Sequence, residues 1–220
     1  MTRTRFHQGL DELKQRLLIM GGLAEQAVDR AIHGYLTRDL DICRRVLEDE
    51  KVINASEREI DESAVDLLAM QQPMAIDLRF LFSVIKINAD LERVGDQAVN
   101  IAERALDLSK FPVAELPLDI ARMASIAAGM VHQSLQAFIE ENAELAQQVL
   151  ERDDVVDEIN REAFESLSGV MRNHPELTRQ ALDALIVARN LERVADHATN
   201  IAEDVIFWVR GADVRHHGVS

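Results

Sequence analysis

Apolar residues recur along the chain at alternating steps of four and three. The clearest run is Phe80, Val84, Ile87, Leu91, Val94, Ala98, Ile101, Ala105 and Leu108. A second run, Leu177, Ala181, Ala184, Ala188, Leu191, Val194, Ala198, Ile201, Val205 and Trp208, keeps nearly the same rhythm. That spacing holds one apolar seam on a single face of an α-helix. The pattern predicts helices over 8–36, 40–70 and 76–108, then over 119–140, 143–172 and 176–210. Asp39 and Asn142 are expected N-caps, because short polar side chains accept from the free N–H groups of a first turn. Pro73 and Pro175 mark the turns before the third and sixth helices.

The chain also repeats itself. Leu91-Glu92-Arg93-Val94-Gly95-Asp96-Gln97-Ala98-Val99-Asn100-Ile101-Ala102-Glu103 matches residues 191–203 at ten of thirteen positions, at an offset of 100. Earlier segments repeat more weakly at an offset of 103: Val46-Leu47-Glu48 pairs with Val149-Leu150-Glu151, and Val52-Ile53 with Val155-Val156. The linker Ser109–Pro117 carries two prolines, which interrupt helical hydrogen bonding. Three long helices with short connections pack as an antiparallel bundle. The expected fold is therefore all-α: two tandem three-helix bundles spanning 1–112 and 113–212, with a disordered tail at 213–220, in an elongated molecule.

Composition agrees. Apolar residues make up 47 % of the 220, aromatics only 4 %, and Gly and Pro together number 13. Such a mixture favours helices over sheets. The formal net charge of −15 argues against nucleic-acid binding, which runs on cation–phosphate contacts. The first ten residues contain no apolar stretch of the kind a secretion signal needs, and no run approaches the length of a membrane span. Cytoplasmic location without membrane insertion is expected. One cysteine, Cys43, rules out an internal disulfide.

Candidate chemistry lies in the acids. Glu92 and Asp96 are four apart and share a helix face, which Asn100 and Glu103 extend; Glu192, Asp196, Asn200 and Glu203 repeat the arrangement. Asp153 and Asp157 form a similar pair on the fifth helix, and the matching first-half positions are Glu50 and Asn54. Residues equidistant from an antiparallel turn share a level along the bundle. Glu50/Asn54 should therefore face Glu92/Asp96, and Asp153/Asp157 should face Glu192/Asp196. Clustered carboxylates suit Mg, Ca, Mn or iron, and zinc less typically. The alternative is a solvated acidic face with Arg93 and Arg193 as local counter-charges. His197 and His132 are candidate extra ligands or ordinary boundary residues. No histidine follows a Glu by three residues, so the di-iron signature Glu-x-x-His is absent, as are HExxH and the glycine-rich phosphate loops.

Gln72-Pro73-Met74-Ala75-Ile76-Asp77-Leu78-Arg79, the Ile87–Ala102 segment and its second copy at Asn190–Glu203 resemble the hallmark segments of the PhoU family, and the resemblance runs from about Phe6 to Val209. It implies a pair of three-helix bundles in a non-enzymatic negative regulator of the phosphate regulon and of phosphate uptake. The implied partners are the ATPase subunit of the phosphate ABC transporter and the PAS region of the sensor histidine kinase, with the protein a homodimer. It also implies the multinuclear iron or zinc clusters that some members hold through E(D)xxxD motifs, while the carboxylate chemistry alone would equally take Mg or Mn. Those motifs fall on Glu92/Asp96, Glu192/Asp196 and Asp153/Asp157. The fourth, Glu50/Asn54, departs by carrying an amide. The alternative is a carboxylate-rich metalloprotein with redox or hydrolytic activity, and a third reading is an oligomeric scaffold.

Overall fold

A computed structural model of the chain describes residues 3–70, 73–212 and 214. Its helices are α1 (Arg3–Thr37), α2 (Leu40–Met70), α3 (Ala75–Leu108), α4 (Ile120–Glu140), α5 (Ala143–Leu150), α6 (Asp153–Asn173) and α7 (Thr178–Arg210), with a 3-10 turn at Pro175–Leu177. Among the described residues there is no strand. The expected tail at 213–220 lies, apart from Val214, outside the described residues.

Local chemistry sets the ends. Asp39 Oδ1 accepts from the backbone N–H groups of Asp41 (3.0 Å) and Ile42 (3.1 Å), starting α2. Asn142 Oδ1 accepts from Leu145 N at 3.0 Å, starting α5. Asp119, unforeseen, caps α4 through Arg122 N at 2.9 Å. α7 ends at Gly211, whose φ of 70° suits a residue without Cβ.

Two features depart from expectation. The first helix begins at Arg3 rather than near residue 8. The fifth helix is broken at Glu151–Arg152 into α5 and α6, whereas its first-half counterpart α2 is continuous. α6 opens on Asp153 and Asp154 where α2 carries Glu50 and Lys51. Two acids in a first turn favour a fresh helix N-terminus, where the macrodipole is positive.

The two bundles lie side by side rather than end to end. α3 runs antiparallel against α7: Arg79 Nε donates to Trp208 O (3.2 Å), Ser83 Oγ to Asp204 O (2.8 Å), and Arg179 reaches Asp107 (3.3 Å) at the other end. α1 meets α4 across the same seam. Apolar residues of both halves thus join one core. At one end Phe80, Phe138 and Trp208 close it, with ring centroids 5.0–6.2 Å apart. Each half lends a wall to the other, so α3 and α7 are the most enclosed.

Candidate functional site

The bundle geometry brings the acid pairs together as the turn arithmetic requires. In the second half, carboxylate oxygens of Asp157 (α6) and of Glu192 and Asp196 (α7) lie within 4.8 Å of one another. Glu192 is 9 % exposed and supplies the floor; Asp196 sits at the open edge. Burial raises the Asp153 carboxyl to about 6, with the charges of Asp157, Asp196 and Asp154 adding to it. Burial likewise pushes up Glu192, then Asp196 does; Asp196 rises by burial and then by Asp157. Asp157, Glu192 and Asp196 thus share one small volume; Asp153 lies outside that trio but feels the charges of Asp157 and Asp196.

Arg189 meets Glu192 Oε1 at 3.0 Å, but Glu192 Oε2 and Asp153 Oδ1 are buried with no hydrogen-bond partner. Buried oxygens without donors are costly. A set of hard, anionic, under-satisfied oxygens fits a cation such as Mn, Mg or iron better than zinc.

The first half holds a weaker copy. Glu92 is raised by burial and then by Asp96, Glu57 and Glu50, and Asp96 by burial and then Glu50. Asn54 Nδ2 donates to Glu50 Oε1 at 3.0 Å and leaves its own Oδ1 buried and unpartnered. The amide therefore relieves part of the repulsion that the second half leaves standing.

Comparison with known proteins follows the same repeat. The PhoU domain matches twice, over residues 17–105 and 120–205. The chain belongs to the PhoU family. The phosphate-specific transport system accessory protein PhoU homolog of Pseudomonas aeruginosa is 38 % identical over 98 % of this chain and 90 % of its own. The accessory protein PhoU of Escherichia coli is 33 % identical over 97 % and 89 %. The crystal structure of the P. aeruginosa PhoU superposes with a TM-score of 0.92 at 37 % identity, covering 94 % of this chain and all of that one. PhoU from Streptococcus pneumoniae gives 0.88 at 27 %, over 95 % and 99 %. The pair of three-helix bundles is thus a PhoU fold.

The two candidate histidines go elsewhere. His197 Nδ1 lies 2.9 Å from Asp90 Oδ1 on α3, and His132 Nδ1 lies 2.9 Å from Glu25 on α1. Asn200 also turns to Asp90, at 3.3 Å. What the pattern missed is a row of buried acids on the α3–α7 seam: Asp90 (7 % exposed), Asp183 (0 %) and Asp204 (5 %). Asp183 is held by Arg179 (2.9 Å) and Arg104 (3.6 Å), and Asp204 by Lys86 (3.0 Å). The signal was their position beside the apolar seam, which marks a helix buried on more than one side.

Proposed function

We propose that this protein is a cytoplasmic negative regulator of phosphate uptake and of the phosphate regulon. It acts as an adaptor between the ATPase subunit of a phosphate ABC transporter and the PAS region of the sensor histidine kinase. The supporting observation is the full-length likeness to relatives named phosphate-specific transport system accessory proteins. Among the described residues no helix is long and apolar enough to cross a membrane, which suits a protein that reports on a transporter from outside the bilayer. An adaptor transmits a signal only by binding one state of its partner better than another. The test is mild cross-linking and co-purification from cells at high and low phosphate. Recovery of both partners, in proportions that change with phosphate, is expected; recovery of neither would dismiss the adaptor.

The second cluster favours a metal as part of this function. In this reading Asp153, Asp157, Glu192 and Asp196 hold a hard cation, and Glu50, Asn54, Glu92 and Asp96 hold one more weakly. The cation supplies positive charge that cancels the repulsion and ties α6 to α7. Manganese should raise the melting temperature of the wild-type protein and leave Asp196→Asn nearly unmoved; equal shifts in both would refute the assignment. The redox or hydrolytic alternative draws no support from relatives named as accessory proteins. Homodimerisation belongs to the proposal too: light scattering should give twice the 24.7 kDa chain mass, and a monomer would remove it.

A further inference from the structure

A groove of about 790 Å³ runs along α6 and α7 beside the second acid cluster, with Asn100 and Arg104 of α3 at its edge. Its volume is in the range of small-molecule sites. Its chemistry is at odds with the rest of the protein, whose net charge is −15. Arg104, Arg161, Arg189 and Arg193 line it with two carboxylates, Asp157 and Glu192; Arg104 is held by Asp107 (3.2 Å) and Asp183 (3.6 Å), Arg161 by Glu158 and Arg189 by Glu192. Phe164 stands in the groove at 64 % exposure. An aromatic ring so exposed on a helix is unsatisfied by the core and free to stack.

The internal repeat supplies a control within the same chain. At the positions matching Arg189 and Phe164 the first half carries Ala89 and Asp61, and the second-half residue matching Arg104 is Asp204. The positions matching Asn160 and Asn190 carry Glu57 and Asp90. With Glu92, which matches Glu192, the first-half counterpart has five carboxylates against the three cations Arg58, Lys86 and Arg93. The fold therefore does not require an arginine-lined, aromatic groove, and the second-half face carries one.

We propose that the second-half groove binds a nucleoside phosphate, its phosphate on Arg189 and Arg193 and its ring against Phe164. Guanidinium forks bind phosphate oxygens bidentately, and Arg193 forms no ion pair within 4.0 Å among the described residues. Arg189 is engaged by Glu192 at 3.0 Å with 58 % of its side chain exposed, and an exposed pair of that kind yields readily to a stronger anion. Phe164, with Leu185 and Ile186 beside it, gives the base an apolar and aromatic face, where stacking is favourable and tolerant of base identity. The proposal goes beyond the phosphate-regulation reading and does not rest on it.

The test is isothermal titration calorimetry of the full chain in EDTA, so that no metal contributes, with ADP, adenosine and inorganic phosphate as separate probes. ADP is expected to bind more tightly than either fragment. Phe164→Asp and Arg189→Ala place in the second half the residues that the first half carries, so folding, checked by circular dichroism, should survive. Each should weaken ADP by roughly tenfold or more, the loss expected for one contact to a charged group or one stacked ring. Arg58→Gln, in the first-half counterpart, should leave the affinity unchanged. No ADP binding up to millimolar concentration would overturn the proposal. So would unchanged affinity in the two folded variants, or inorganic phosphate binding as tightly as ADP.

Discussion

Replacing Asp153 by Asn should stabilise the protein at neutral pH in the absence of metal. The Asp153 carboxyl is raised from 3.8 to about 6, first by burial and then by Asp157, Asp196 and Asp154. The folded state therefore holds this proton more tightly than the unfolded chain does. Between about pH 4 and pH 6 the native state binds more protons, so stability falls as pH rises through that window and the penalty is fully present above it. The full rise would correspond to at most about 3 kcal/mol. Two effects reduce it: solvent screening at a partly exposed site, and the favourable place of an acid in the first turn of α6. A gain of about 1 kcal/mol for Asp153→Asn at pH 7.5 is expected. The amide has a ready role, as Asn54 donates to Glu50 in the first-half cluster. Urea denaturation in EDTA at constant ionic strength, from pH 4.5 to 7.5, reads the effect directly. A variant that is less stable at every pH, or a gain that does not shrink toward pH 4.5, would refute the reasoning. The gain should also reverse in sign when manganese is added, if the cluster holds the cation proposed.

Two further outcomes follow from packing. A Cβ added at Gly95 would lie 3.1 Å from Ile53 Cδ1. The second half carries Ala195 and Val156 at the corresponding positions, both fully buried. Gly95→Ala alone should therefore gain little or lose stability despite better helix propensity, whereas Gly95→Ala with Ile53→Val should recover up to about 1 kcal/mol. A double-mutant cycle showing strict additivity would contradict this coupling. Cys43 is fully buried with its thiol pushed up, by burial and then by Asp39. It should resist a thiol reagent in the native protein and react at once in urea; rapid native labelling would show that the α1–α2 corner opens.

Helix positions were legible because each relies on local signals: a 3.6-residue periodicity, prolines before α3 and α7, and capping by Asp39 and Asn142. The acid clusters were legible because an antiparallel turn converts sequence distance into level. The side-by-side union of the halves was not. Its polar members Asp90, Asp183 and Asp204 resemble surface residues until the second bundle covers them. His197, open between an extra ligand and a boundary residue, turns to Asp90 for a related reason: successive residues on a helix point about 100° apart, so Asp196 faces α6 while its neighbour faces α3. The arginine groove escaped notice because it is assembled from α3, α6 and α7, and arginines on outward faces look like ordinary solubilising charge. Nor did periodicity reveal the break at Glu151–Arg152, since the apolar rhythm continues across it while the acids behind it start a new helix.

The central claim is that this chain restrains the phosphate response, and one measurement tests it most directly. It is alkaline phosphatase activity, as a reporter of the phosphate regulon, in the source organism with the gene deleted and phosphate abundant. High activity that falls again when the intact gene is restored is the predicted result. Activity that stays repressed in the deletion strain would contradict the account.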